Sequence, residues 1–198
     1  MRFFAVLVFF SGWISAVLAG VPVAVVPVTA SHGMVVAGHP QATAAGLAVL
    51  QSGGNAIDAA IATSLALGVA EPYGSGLGGK LMLLYHEAAT GKTYAVDAMD
   101  AAGSVNVAAF LRLPPDARSY GYGAVCVPGL AAGLWAAHQR WGGKPWADLV
   151  QPAIALARVG FRVLPKTREQ FVEQEKKLRR GDPDIARLYL PDGRLPEV

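Results

Sequence analysis

Stretches of alanine and aliphatic residues, broken by paired glycines, set the hydropathic pattern of this chain. Residues 44–51, AAGLAVLQ, predict a helix, and Gly53-Gly54 stop it because glycine takes the left-handed cap conformation without steric cost. Asn55 then caps a second helix over residues 56–70, AIDAAIATSLALGVA, its side-chain oxygen accepting from an orphan N–H. The small side chains of that helix permit close packing, so it belongs in a core. A second glycine-dense turn follows at residues 71–79, EPYGSGLGG. Residues 81–85 and 93–96 are apolar or β-prone, and Thr90-Gly91-Lys92 supplies a turn between them, which predicts a hairpin. Val35-Val36-Ala37 is a further short strand candidate.

Downstream, Pro114-Pro115 and the tract SYGYG predict an exposed loop, and residues 124–127 a strand ending at Pro128-Gly129. A helix is expected over residues 130–141 with Leu134, Trp135, His138 and Trp141 near one face. Residues 146–159 continue as helix, with a kink or a fresh start at Pro152, where a backbone donor is lost. In KTREQFVEQEKKLRR the basic residues alternate with Glu169, Glu173 and Glu175, which suits i,i+4 pairing on a solvated helix.

Composition refines this picture at the chain's start. The 198 residues suit one domain, and 53% hydrophobic content can bury a sizeable core. Part of that content lies in residues 1–19, where Arg2, an apolar run and Val17-Leu18-Ala19 form a signal-peptide pattern with cleavage before Gly20. The expected destination is secreted or periplasmic, without membrane association after cleavage; an uncleaved membrane anchor is the alternative. The single Cys126 forms no internal disulfide, and AVCVPG predicts it as an inert thiol on a buried strand. A net charge of +3, with the basic segment largely neutralised by glutamates, argues against nucleic-acid binding.

The stretch from Gly33 through GMVVAGHPQATAAGLAVLQSGGNAIDAAIATSLALGVAEPYGSGLGG, then the hairpin, VPGLAAGLWAAHQRWG and QPAIALARVGF, resembles the N-terminal part of a γ-glutamyltransferase precursor. The resemblance implies an α+β fold of the N-terminal-nucleophile hydrolase type, an α/β/β/α sandwich incomplete in this chain. It also implies a precursor that cleaves itself into two subunits, with a threonine nucleophile at the start of the small one. Residues 20–198 would then be part of the large-subunit domain, ending inside it at PDGRLPEV. A fragment or truncated relative is therefore expected, lacking its small subunit.

The chemistry expected of the complete protein is γ-glutamyl transfer or hydrolysis on glutathione-type substrates, without a cofactor or metal. A non-catalytic binding module and a diverged acylase acting on another amide are the alternatives. None of the six threonines sits where a nucleophile would be, so no catalytic residue is assigned. The run Gly74 to Gly79 follows a helix and opens a strand, the wrong order for a nucleotide loop, and Tyr73 breaks the nucleophile-elbow pattern around Ser75. The run is either a tight turn between layers or a border of the substrate cavity. The four histidines lack metal spacing and read as loop or capping residues. Asp58 reads as a structural carboxylate buried against a backbone N–H of a neighbouring turn.

The substrate-binding candidates are Met99 and Asp100. By resemblance, the segment after the second hairpin strand carries a D-x-R-E-x-A-P motif whose arginine pairs with the substrate α-carboxylate. Here residues 97–103 read DAMDAAG, so Met99 stands in place of that arginine and Asp100 in place of the glutamate. Methionine cannot supply a bidentate charged contact, and an unpaired carboxylate costs about 2–5 kcal/mol. Asp100 alone would repel it.

Overall fold

The computed structural model describes residues 27–104 and 106–198. The signal-peptide pattern lies outside the described residues. Two compact units are distinguished, Met1–Ser31 and His32–Val198; of the first, residues 27–31 are described and are exposed. The second contains every element that follows.

Helix α1 spans Pro40–Gln51, starting earlier than the alanine run alone predicts. The reason is local: His39 is the N-cap, its Nδ1 accepting from Gln41 N at 3.2 Å, and Pro40 supplies a first-turn residue with no N–H to satisfy. At the other end Gly53 adopts φ 84°, Gly54 N donates to Val49 O at 2.9 Å and Gly53 N to Leu50 O at 3.0 Å. This pair of bonds is the Schellman arrangement that the two glycines predict. Helix α2, Ala56–Ala70, opens with a capping box between Asn55 and Asp58.

Helix α2 forms the centre. Ile57, Ala59, Ile61 and Ala62 join Val49 of α1, Leu130, Leu134 and Ala137 of α5 (Leu130–Trp141) and Leu149 of α6 (Trp146–Val159) in one buried cluster. Ala42, Ala45 and Ala66 form a second, where α1 and α2 meet. The two helices approach so closely that a Cβ at Gly46 would overlap Thr63 Oγ1 and lie 3.0 Å from Val35 Cγ1.

Strands β1 (Leu81–Glu87) and β2 (Lys92–Ala98) form an antiparallel hairpin in the register Leu81 opposite Ala98 through Glu87 opposite Lys92. Leu81, Leu83 and Tyr85 turn inward onto the core, while Met82 and Leu84 on the outer face are 75% and 80% exposed. With this sheet beside its helices, the chain is a mixed helix and antiparallel-strand fold of the α+β class. Short helices α3 (Val107–Leu111) and α4 (Pro115–Ser119) lead to α5; α7 (Pro165–Arg180) and α8 (Pro183–Tyr189) follow α6. No helix among the described residues is long and apolar enough to cross a membrane.

Several expectations need correction. Residues 35–37 alternate between half-buried and exposed as a strand would, yet join no sheet among the described residues. Residues 124–127 are not a buried strand either: only Val127 pairs, with Ala101, and Cys126 is exposed. With a single bridge there is no ladder to cover the segment, and Val125 and Val127 are 71% and 57% exposed. The predicted loop at Pro114-Pro115 contains α4, because Pro115 is well suited to a first helical turn. Helix α5 forms where expected; it buries Leu130, Gly133, Leu134 and Ala137, with Trp135 48% exposed. Helix α6 runs unbroken through Pro152, without a fresh start there. The solvated α7 carries one pair at the expected i,i+4 spacing, Arg179 to Glu175 at 2.6 Å, and one at i,i+3, Lys166 to Glu169 at 2.8 Å.

Candidate functional site

The glycine run begins where α2 ends. Glu71 O accepts from Gly74 N at 3.0 Å and from Ser75 N at 2.9 Å, and Gly79 N donates to Gly76 O at 3.0 Å. The loop is then tied to the next helix, since Gly79 O accepts from both Gly129 N and Leu130 N at 3.1 Å. It is thus a hydrogen-bonded turn, and it also borders a cavity of about 500 Å³ that includes Ser64, Tyr73, Ser75, Lys80 and Leu130 in its lining. Gly74, Gly76 and Gly78 line this cavity without needing a left-handed backbone, and a Cβ at any of them would meet no atom within 4 Å. Neither conformation nor internal packing accounts for glycine there; the space beside the loop is kept open.

Lys80 links this cavity to the second sequence candidate. It directly precedes β1, and its Nζ lies 3.6 Å from Oδ1 of Asp100, which follows the end of β2. The hairpin register brings the two to one end, because Leu81 faces Ala98. The Lys80 and Asp100 side chains are 55% and 30% exposed, a solvated pair in which each charge screens the other. Met99 is 43% exposed and is not part of the cavity lining. Its backbone is fixed by Asp97, whose Oδ1 accepts from Met99 N at 3.2 Å, and by Gly129, where a Cβ would lie 2.6 Å from Met99 O. Sequence reasoning singled out Asp100 but missed Lys80; a lone cation closing a glycine run at the start of a strand was the available signal.

The other expected positions divide cleanly. Asp58 is fully buried, and its carboxylate accepts from Asn55 N at 3.0 Å, Gly143 N at 2.9 Å and Lys144 N at 3.2 Å. The neighbouring turn foreseen for it is Gly143-Lys144, between α5 and α6. Asn55 Nδ2 donates to Trp141 O at 2.7 Å, so the α1–α2 and α5–α6 connections are clamped together. His39 caps a helix as expected and also meets Arg162 O through Nε2 at 3.0 Å. His86 and His138 are not loop or capping residues. His86 lies in β1 against Thr93 Oγ1 at 3.0 Å, and His138 lies in α5 between Trp135 and Trp146. Regular elements hold both because their neighbours supply a cross-strand partner in one case and aromatic rings in the other.

The sequence profile of the family described as gamma-glutamyltranspeptidase matches residues 42–198. The chain is 39% identical over 179 residues to "Acylase ACY 1 proenzyme" of Pseudomonas sp. (strain V22), covering 84% of this chain and 32% of the relative. It is 35% identical to "Glutathione hydrolase proenzyme" of Bacillus subtilis (strain 168), covering 81% and 28% respectively. Among solved structures, gamma-glutamyltranspeptidase of Helicobacter pylori superposes with a TM-score of 0.80 at 31% identity, over 85% of this chain and 50% of that one. Cephalosporin acylase from Bacillus halodurans gives 0.71 at 32% identity, over 81% and 31%. The chain spans about a third of the length of these curated relatives. With the profile covering most of the sequence and the likenesses running through the same elements, the chain belongs to the gamma-glutamyltranspeptidase family.

Proposed function

We propose that the complete protein transfers or hydrolyses an amide-linked γ-glutamyl group, and that this region forms the scaffold and one wall of its acyl pocket. The observation that carries this reading is the open cavity beside the glycine loop, which Lys80 lines while its ammonium pairs with Asp100 outside the lining. By the resemblance, a threonine hydroxyl supplied from elsewhere in the protein attacks the amide carbonyl. The amine then leaves with a proton, and water or an amino acid takes the acyl group from the threonine. In the same reading the hairpin belongs to one sheet layer of an α/β/β/α sandwich, the protein is processed into two subunits, and the apolar start of the sequence directs it to the periplasm or outside the cell. Asp100 stands at the substrate, with Met99 at the position that the resemblance gives to an arginine.

Met99 favours a second reading, an acylase of the same mechanism whose acyl group carries no carboxylate. An apolar, 43% exposed side chain at that place is what such a substrate would tolerate. The experiment is turnover by the complete protein of a γ-glutamyl anilide against an anilide of a plain aliphatic acid. Faster turnover of the first is expected. Turnover of the aliphatic anilide alone would replace the first reading with the second, and turnover of neither would remove both.

A further inference from the structure

We propose that Lys80 reads the carboxylate of the acyl group and that Asp100 holds it in place for that task. The inference rests on the reading above that the glycine-loop cavity receives the acyl group. Recognition of a carboxylate there needs a cation, and Met99 supplies none. Lys80 does: it is the one charged residue in the cavity lining among the described residues.

Its geometry suits the role. The 3.6 Å separation from Asp100 Oδ1 is within ion-pair range but beyond a direct hydrogen bond, and more than half of the Lys80 side chain is exposed. An ammonium has three donors and no acceptor requirement, so it can face Asp100 and still donate to a second oxyanion. Lys80 also answers the objection that Asp100 would repel a substrate carboxylate, because the aspartate is already paired. The Asp100 oxygens in turn suit an amino group next to that carboxylate. Adjacent charges of opposite sign therefore match an acyl group whose terminal carbon bears both an ammonium and a carboxylate. Ser75, Tyr73 and the loop glycines line the same space. Because lysine is a point charge on a flexible stem instead of a planar fork, such a site accepts a wider range of carboxylate orientations than an arginine site does.

The test is titration calorimetry on the complete protein with L-glutamate and with γ-aminobutyrate, which keeps the amino and γ-carboxyl groups but lacks the α-carboxylate. Wild type should prefer L-glutamate by about tenfold or more, as expected for a hydrogen bond between charged groups. Lys80→Met should bring the two affinities close to equality, and Lys80→Arg should retain the preference. Lys80→Gln serves if Lys80→Met does not fold. No preference in wild type, or a preference that survives Lys80→Met and Lys80→Gln, would overturn the proposal. Turnover of a γ-glutamyl anilide without a Lys80-dependent preference would leave the proposed reaction standing and remove only Lys80. Lys80-dependent glutamate binding without turnover would do the reverse.

Discussion

At the junction of α1–α2 with α5–α6, a fully buried carboxylate meets three backbone N–H groups, whereas on the outer face of the hairpin Met82 and Leu84 stand 75% and 80% exposed. The glycines follow the same divide. A Cβ at Gly46, between α1 and α2, would overlap a neighbour, while one at Gly74 would touch nothing. The first region is closed by contacts within the chain, so each of its residues is fixed by several others. The second is shaped by the chain but not filled by it. That contrast separates the packed scaffold from the open surfaces of the chain, and it can be broken in measurable ways.

The largest effect is expected at Asp58. Asp58→Ala removes an N-cap box and takes the shared acceptor from the backbone donors of Asn55, Gly143 and Lys144, so unfolding free energy should fall by about 2–4 kcal/mol. Asp58→Asn, which can keep the Oδ1 acceptor, should recover about half of that loss. Denaturant unfolding measures both; a loss below about 1 kcal/mol for alanine would mean that water replaces the carboxylate and that the junction is not closed.

Next comes a matched pair of glycine substitutions. Gly46→Ala forces Thr63 and the facing helix apart and should cost about 1–3 kcal/mol, while Gly74→Ala should change stability by no more than about 0.5 kcal/mol. Thermal unfolding of the two variants side by side gives the comparison its sharpest form. Equal losses would erase the distinction between a packed and an open glycine.

A smaller effect is expected on the hairpin. Leu84→Ser should alter the stability of the 198-residue chain by about 0.5 kcal/mol or less, since the side chain is already 80% exposed. The same substitution in the complete protein proposed above measures what that face meets there. A loss of about 2 kcal/mol or more in the complete protein would mean that another layer covers it.

The smallest effect is at Lys166. A hydrogen bond from its ammonium to Glu169, reinforced by the charge of that carboxylate, raises its pKa above the ordinary 10.5. A raised lysine pKa gives stability that is fully present below the unfolded value and is lost as pH rises through the folded one, so the window is strongly alkaline. The group is fully exposed, and salt screens it. Glu169→Gln should return the Lys166 titration midpoint, followed by NMR, toward 10.5. An unchanged midpoint would show that the pair does not form in solution.

Much of the scaffold was legible because its signals are local. Asn55 and Gly53-Gly54 announce a cap and a stop within a few residues of the backbone groups that they satisfy. The hairpin followed in the same way from two apolar or β-prone runs and the Thr90-Gly91-Lys92 turn. The readings that failed depended on a distant partner. The segments at 35–37 and 124–127 have strand-like sequences, but a strand exists only where another chain segment offers a ladder. Which α5 residue meets the hairpin also depended on distant partners: a Cβ at Gly133 would overlap Ala98 Cβ of β2 and crowd Leu81 of β1.

The site divides along the same line. Asp100 could be named from its motif position, but Lys80 lies 20 residues away in sequence and becomes its neighbour only through the hairpin register. The sequence by itself determined the long helices, the Asn55 cap and the glycine stop, the hairpin and the family, because each depends on residue types at short or fixed spacing. The tertiary structure alone decided which turn receives Asp58, which glycines face open space, and which cation meets Asp100. Those are contacts between segments brought together by packing, and no local spacing encodes them.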